Sequence, residues 1–220
     1  MCGMHNPMTT IAAVALAVAA MITGAPAGPA AADDCPDVEL IFARGTGEDP
    51  GPGRVGQALA DALAPQLGGR SLGVYGVDYP ASLNFLAAAS GADNAAARIA
   101  DMGARCPQTR LVLGGFSQGA AAVSMLAGVP PVGERIGSIG SAPPLAPAAA
   151  GQVSAVAVFG NPGARFGSPL STTGLFAGRA IDICVDGDPI CSNGRDRAAH
   201  SAYELPPYPQ QAAAFVAGLL

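Results

Sequence analysis

Leu111-Val112-Leu113-Gly114-Gly115-Phe116-Ser117-Gln118-Gly119-Ala120-Ala121-Ala122-Val123-Ser124-Met125-Leu126 reads as an apolar strand, a sharp turn and an Ala-rich helix. At its centre is Gly115-Phe116-Ser117-Gln118-Gly119, a G-x-S-x-G sequence in the strand–turn–helix setting that makes it a nucleophile elbow. Glycines flank the serine because side chains there would clash, and the serine oxygen projects above the edge of the sheet. The plain alternative is a tight βα turn with a solvent-facing serine.

Outward from this segment, short β-branched runs alternate with Ala-rich helical stretches, the pattern of a parallel sheet covered by helices on both faces. Strands are expected at Val38 to Ala43, Leu72 to Val77, Leu111 to Phe116, Val153 to Phe159 and Ala180 to Val185. Gly53 to Leu67, Ala92 to Arg105, Gln118 to Leu126 and a final stretch from about Gln210 to Leu220 read as helices. The Pro- and Gly-rich segment from Gly128 to Gly151 is too broken to be one helix and reads as a surface excursion. With half of its 220 residues hydrophobic, the chain is long enough for one well-packed domain. Its 11 basic residues, all Arg and none adjacent, are outnumbered by 16 acidic ones, so nucleic acid is not an expected partner.

The first 32 residues carry no Asp, Glu, Lys or Arg, and the apolar run Ile11 to Ile22 is followed by small residues up to Ala30-Ala31-Ala32. This reads as a signal peptide over residues 1–32, too short an apolar run to span a membrane, with secretion or cell-envelope association as the consequence. An uncleaved tethering arm is the alternative. Cleavage removes Cys2 and His5. It leaves Cys35, Cys106, Cys184 and Cys191, an even set in an oxidising compartment, and a single histidine, His200. If the first and third strands are parallel neighbours, Cys35 and Cys106 share the N-terminal edge of the sheet and a bridge between them is easy. Cys184 and Cys191 flank a short loop that a bridge would stiffen. The cysteines lack a C-x-x-C pair, and no metal site is expected.

A serine nucleophile needs a base, and the base needs an acid to fix its tautomer; in this fold class their order is Ser, acid, His. His200 is the only downstream histidine, and the intervening acids are Glu134, Asp182, Asp186, Asp188 and Asp196. Position favours the loop between the last two cysteines, with Asp188 first and Asp186 second. The oxyanion of a tetrahedral intermediate needs N–H donors. Gln118 supplies one by position, and Arg44-Gly45-Thr46-Gly47-Glu48, directly after the first strand, offers Thr46 for the second.

Together, Arg44-Gly45-Thr46-Gly47-Glu48, Gly115 to Gly119, the loop Cys184-x-x-Gly187-Asp188-x-x-Cys191 and His200-Ser201-Ala202-Tyr203 resemble the cutinase family, specifically its secreted bacterial cutinase-like members. The resemblance implies one cutinase-like domain over residues 33–220: a small, lidless, three-layer α/β-hydrolase with a five-stranded parallel sheet and the two disulfides paired as above. It also implies carboxylesterase or lipase activity on ester or lipid substrates without a cofactor. By position it makes Ser117 the nucleophile, His200 the base, Asp188 its orienter, and Thr46 with Gln118 the oxyanion hole. A monomer is expected. Phospholipase, thioesterase or envelope-lipid acyltransferase chemistry would use the same residues, and a surface-binding protein without turnover is the non-enzymatic rival. Ahead of His200 the sequence Asn193-Gly194-Arg195-Asp196-Arg197 is polar, where polymer-degrading members look apolar. Arg195 and Arg197 either face the groove entrance and attract anionic groups or merely solvate a loop.

Overall fold

Alternation along β1 (Val38–Ala43) sets the layering: Ile41 and Ala43 join the core on one face of the sheet, Leu40 and Phe42 the core on the other. The computed structural model describes residues 1–3, 35–130 and 139–220, so the expected signal segment lies almost wholly outside the described residues, as does Glu134. Five parallel strands, β1, β2 (Leu72–Gly76), β3 (Arg110–Phe116), β4 (Val153–Phe159) and β5 (Ala180–Ile183), stand in the order β2-β1-β3-β4-β5. Helices α1 (Gly53–Leu63) and α6 (Tyr208–Ala217) cover one face, and α2 (Ala88–Arg105) and α3 (Gln118–Leu126) the other. This is the three-layer α/β-hydrolase arrangement that the resemblance implies. Two short helices, α4 (Pro147–Gln152) and α5 (Pro162–Arg165), flank β4.

Opposite faces for α1 and α2 follow from handedness. The chain steps from β1 outward to β2 and then back past β1 to β3, and right-handed crossovers in opposite directions must lie on opposite faces. The loops leaving β1 and β3 therefore diverge, and the crevice between them at the C-terminal sheet edge is where such sheets bind ligands. In β4 the register slips, with Leu111 opposite Val153 but Val112 opposite Ala155; the extra residue, Ser154, puts both Val153 and Val156 in the same core. The buried Glu39 of β1 is held by Arg98 of α2 through two bonds of 2.8 and 2.7 Å.

Several boundaries differ from expectation. The first helix stops at Leu63 and tightens into a 3-10 turn over Ala64–Gln66, because Pro65 cannot donate to the helical ladder. The second starts at Ala88, ahead of Ala92: Gly91 reads as a breaker but is buried against the Tyr79 ring. The last begins at Tyr208 with Pro209 in its first turn, where proline is tolerated, and ends at Ala217. Disulfides join Cys35 to Cys106, at the N-terminal edge shared by β1 and β3, and Cys184 to Cys191 around the loop after β5.

Candidate active site

Ser117 sits between β3 and α3 with φ 54° and ψ −111°. Its N–H donates to Phe159 O at 2.9 Å, and its carbonyl accepts the Ala121 N–H at 3.1 Å. The two flanking glycines are sterically required. A Cβ on Gly119 would lie 1.9 Å from Ala43 O, and one on Gly115 would lie 2.5 Å from Gly119 O. Close approach of α3 to β1 leaves no room for a side chain at Gly119, and the first turn of α3 folding back on β3 leaves none at Gly115.

His200 lies on a 3-10 turn (Ala199–Ser201). Its Nε2 is 2.9 Å from Ser117 Oγ and its Nδ1 is 2.8 Å from Asp188 Oδ2. The Phe116 ring stacks against the imidazole with centroids 5.0 Å apart, which limits its rotation. Asp188 is 0% exposed; its Oδ1 accepts the Ile190 N–H at 2.7 Å, and its Oδ2 also accepts the Tyr203 hydroxyl. Burial pushes the Asp188 carboxyl up, but hydrogen bonds from His200, Tyr203 and the Ile190 N–H outweigh it and hold the group below the usual carboxylate range.

The other acids go elsewhere. Asp182 accepts from Asn161 Nδ2 and Ser171 N–H, both at 2.8 Å; Asp196 accepts the Ala198 N–H at 2.9 Å; Asp186 is exposed. The cystine loop therefore brings Asp188 to His200 and leaves Asp186 outside.

On the other side of Ser117, the Thr46 hydroxyl donates to Gln118 Oε1 and Gln118 Nε2 donates to Ser82 O, both at 3.2 Å. Among the described residues neither the Thr46 N–H nor the Gln118 N–H has an acceptor, so both are available to a ligand. Glu48 accepts the Gly45 N–H at 2.6 Å and the Arg54 N–H at 3.1 Å, and the Arg54 guanidinium reaches Ser201 O at 3.2 Å and Glu204 at 2.6 Å. Arg54 thus links the Thr46 loop to the turn that carries His200. Sequence reasoning missed this tie, the Phe116 stack and the contact from Tyr203. Only the last had a signal in the sequence, since Tyr203 belongs to the segment His200-Ser201-Ala202-Tyr203 that carries the family resemblance.

A cavity of about 370 Å³ opens beside Ser117, walled by Leu83, Phe85, Ala121, Ile139, Pro162 and Ile190. A larger cleft of about 500 Å³ lies at the opposite, N-terminal sheet edge around Thr109, Arg110, Gln152 and Ser154, but it holds no nucleophile with a base. Chemistry, not size, selects the first. Arg195 and Arg197 are exposed and neither lines this cavity, to which the cystine loop contributes Ile190. Among the described residues no cluster of three or more His, Cys, Asp or Glu could hold a metal ion, and no helix is long and apolar enough to cross a membrane.

Comparison with known proteins agrees with this architecture. The family profile described as Cutinase matches residues 34–220. The chain is 45% identical over 216 residues to Phospholipase Culp4 of Mycobacterium tuberculosis, covering 98% of this chain and 92% of that one. It is 50% identical over 188 residues to Probable carboxylesterase Culp3 of the same species, covering 84% and 70%. Among solved structures it superposes on the cutinase of Trichoderma reesei in complex with a C11Y4 phosphonate inhibitor, with a TM-score of 0.67, 35% identity and coverage of 86% and 78%. The catalytic core domain of acetyl xylan esterase from the same fungus gives a TM-score of 0.71 at 26% identity, covering 85% and 100%. Sheet order, elbow and matched length all point one way: the chain belongs to the cutinase family and is a serine ester hydrolase with the α/β-hydrolase fold.

Proposed function

We propose that the protein is a secreted carboxylesterase of lipid-like esters, working through Ser117, His200 and Asp188 as nucleophile, base and orienter. The observation that carries this reading is the chain of contacts from Ser117 Oγ to His200 Nε2 (2.9 Å) and from His200 Nδ1 to Asp188 Oδ2 (2.8 Å) at the mouth of an apolar cavity. Serine is a weak nucleophile until His200 takes its proton as Oγ attacks the ester carbonyl. Buried Asp188, acceptor-only while ionised, keeps the proton of neutral His200 on Nδ1 and stabilises the imidazolium that forms. The oxyanion is received by the N–H groups of Gln118 and Thr46, which have no acceptor among the described residues. His200 then protonates the leaving alkoxide, and water, activated by the same imidazole, releases the acyl group from Ser117.

Acyl chains are favoured as substrate because the walls around Ser117 are Leu83, Phe85, Ile139 and Ile190, with Leu83 81% exposed at the rim. The names of the relatives, a phospholipase and a carboxylesterase, support the same substrate class. Secretion of the domain 33–220 after removal of residues 1–32 is supported by the apolar run Ile11 to Ile22 and by two disulfides, which persist in oxidising compartments. The test is hydrolysis of p-nitrophenyl esters of graded chain length. Ser117→Ala and His200→Ala are each expected to lose at least about 10³-fold in kcat with little change in KM. Near-parental turnover in Ser117→Ala would overturn the assignment.

A further inference from the structure

Tyr203 places one oxygen against three parts of the site. Its ring is 0% exposed and is held by Phe116, Phe159 and Tyr208, with centroids 5.5, 6.1 and 6.1 Å away. Its hydroxyl donates to Asp188 Oδ2, accepts the Val185 N–H at 3.2 Å and lies 3.2 Å from the disulfide sulfur of Cys191. A ring that only filled space would be served equally by phenylalanine.

We propose that Tyr203 is a positioning residue for ester hydrolysis, its hydroxyl keeping the Asp188 carboxylate ionised and aimed at His200 Nδ1. The inference rests on the reading of Ser117, His200 and Asp188 given above. With His200 and Tyr203 on Oδ2 and the Ile190 N–H on Oδ1, the carboxylate is held from three directions and cannot swing away as the imidazole charges. Tyr203 stays a donor throughout, because burial and the adjoining Asp188 raise its hydroxyl far above its ordinary value. The Asp188–His200 pair carries one negative charge when ready to act as base and none after taking up a proton. A donor on Oδ2 favours the charged form, so losing it moves proton uptake by the pair to higher pH. Among the described residues the other titratable and charged groups around this unit are Tyr208, against the Tyr203 ring; Arg54 with Glu204, beside Phe116 and the His200 turn; Arg165, which donates to Pro189 O; and Asp186 and Asp196, in and against the Asp188 loop. All of them are retained when only the Tyr203 oxygen is removed.

Tyr203→Phe keeps the ring and deletes the hydroxyl. Its kcat should fall about tenfold, the scale of one hydrogen bond to a charge, with KM within about twofold. The acid limb of kcat/KM should rise by about half a pH unit or more. Should Tyr203→Phe not fold, 3-fluorotyrosine placed at position 203 preserves shape and is the stronger donor, and its acid limb should move to lower pH. A parental kcat and acid limb in the folded probe, or a loss confined to KM or to melting temperature, overturns the proposal. Ser117→Ala separates the two readings. If it is inactive while Tyr203→Phe is parental, only the role of Tyr203 falls; if Ser117→Ala turns over normally, the underlying assignment falls with it.

Discussion

Ser117 is one of two non-glycine residues with positive φ among the described residues, and a backbone so placed costs on the order of 1–3 kcal/mol. The strain aims Oγ at His200, and a residue without a Cβ would relieve it. Ser117→Gly should therefore unfold at higher urea than Ser117→Ala, by about 1 kcal/mol, both variants having lost the same contact to His200. Equal midpoints would show that the elbow stores no strain. Asp188 makes a second contribution readable by titration. Its folded-state pKa is lowered, so the stability it provides is present above the unfolded value of about 3.9 and is lost as pH falls through the lower folded value. Parent and Asp188→Asn, unfolded in parallel between pH 7 and pH 3, should differ by a nearly constant amount down to about pH 5 and then converge below about pH 4. A gap that widens in acid would contradict the sign.

At the scale of elements, the two cystines do different work. Cys35–Cys106 closes a separation of 71 residues and Cys184–Cys191 one of 7, which in the chain-entropy model correspond to about 4 and about 2 kcal/mol. The short loop, however, holds both Asp188 and the cavity wall Ile190. Replacing Cys35 and Cys106 by Ser should lower melting temperature more, and replacing Cys184 and Cys191 should lower kcat more; the reverse ranking would deny the short bridge a positioning role. The segment beyond that loop is a separate matter. Because Arg195 and Arg197 do not line the cavity, changing both to Leu should leave kcat/KM for short neutral esters within about twofold, whereas Ile190→Ala and Ile139→Ala should alter the preferred acyl length. A chain-length profile that follows the arginines instead would return specificity to the polar segment.

For the whole molecule, the active crevice is a product of sheet order. β1 and β3 are neighbours although far apart in the chain, so that Thr46 in the loop after β1 bonds Gln118 after β3 across a separation of 72. Arg54 of α1 and Glu204 beyond β5 tie the loop after β1 to the turn that carries His200 across a separation of 150. This ion pair is partly exposed, so its contribution is modest and screened by salt. Arg54→Met should thus lower kcat/KM only a few-fold at low salt and less at high salt, read by ester hydrolysis over a salt series. An unchanged salt response would assign Arg54 to packing over Phe116 alone.

The sequence by itself determined the strand–turn–helix at Ser117, the five strands and the set of four cysteines, because period-two and helical patterning, glycine pairs and chain order are local properties. It also narrowed the acid to the loop between Cys184 and Cys191, where the family resemblance preferred Asp188. Helix ends were less legible: Gly91 looks like a breaker until Tyr79 is seen packed on it, and Pro65 shortens a pattern that periodicity would extend. Only the tertiary structure decided which residues wall the cavity beside Ser117, that Arg195 and Arg197 do not, and that Tyr203, Phe116 and Arg54 support the His200 side of the site. Those are contacts between segments far apart in the chain, set by the stacking of layers and the order of strands, and no periodicity within any one segment encodes them.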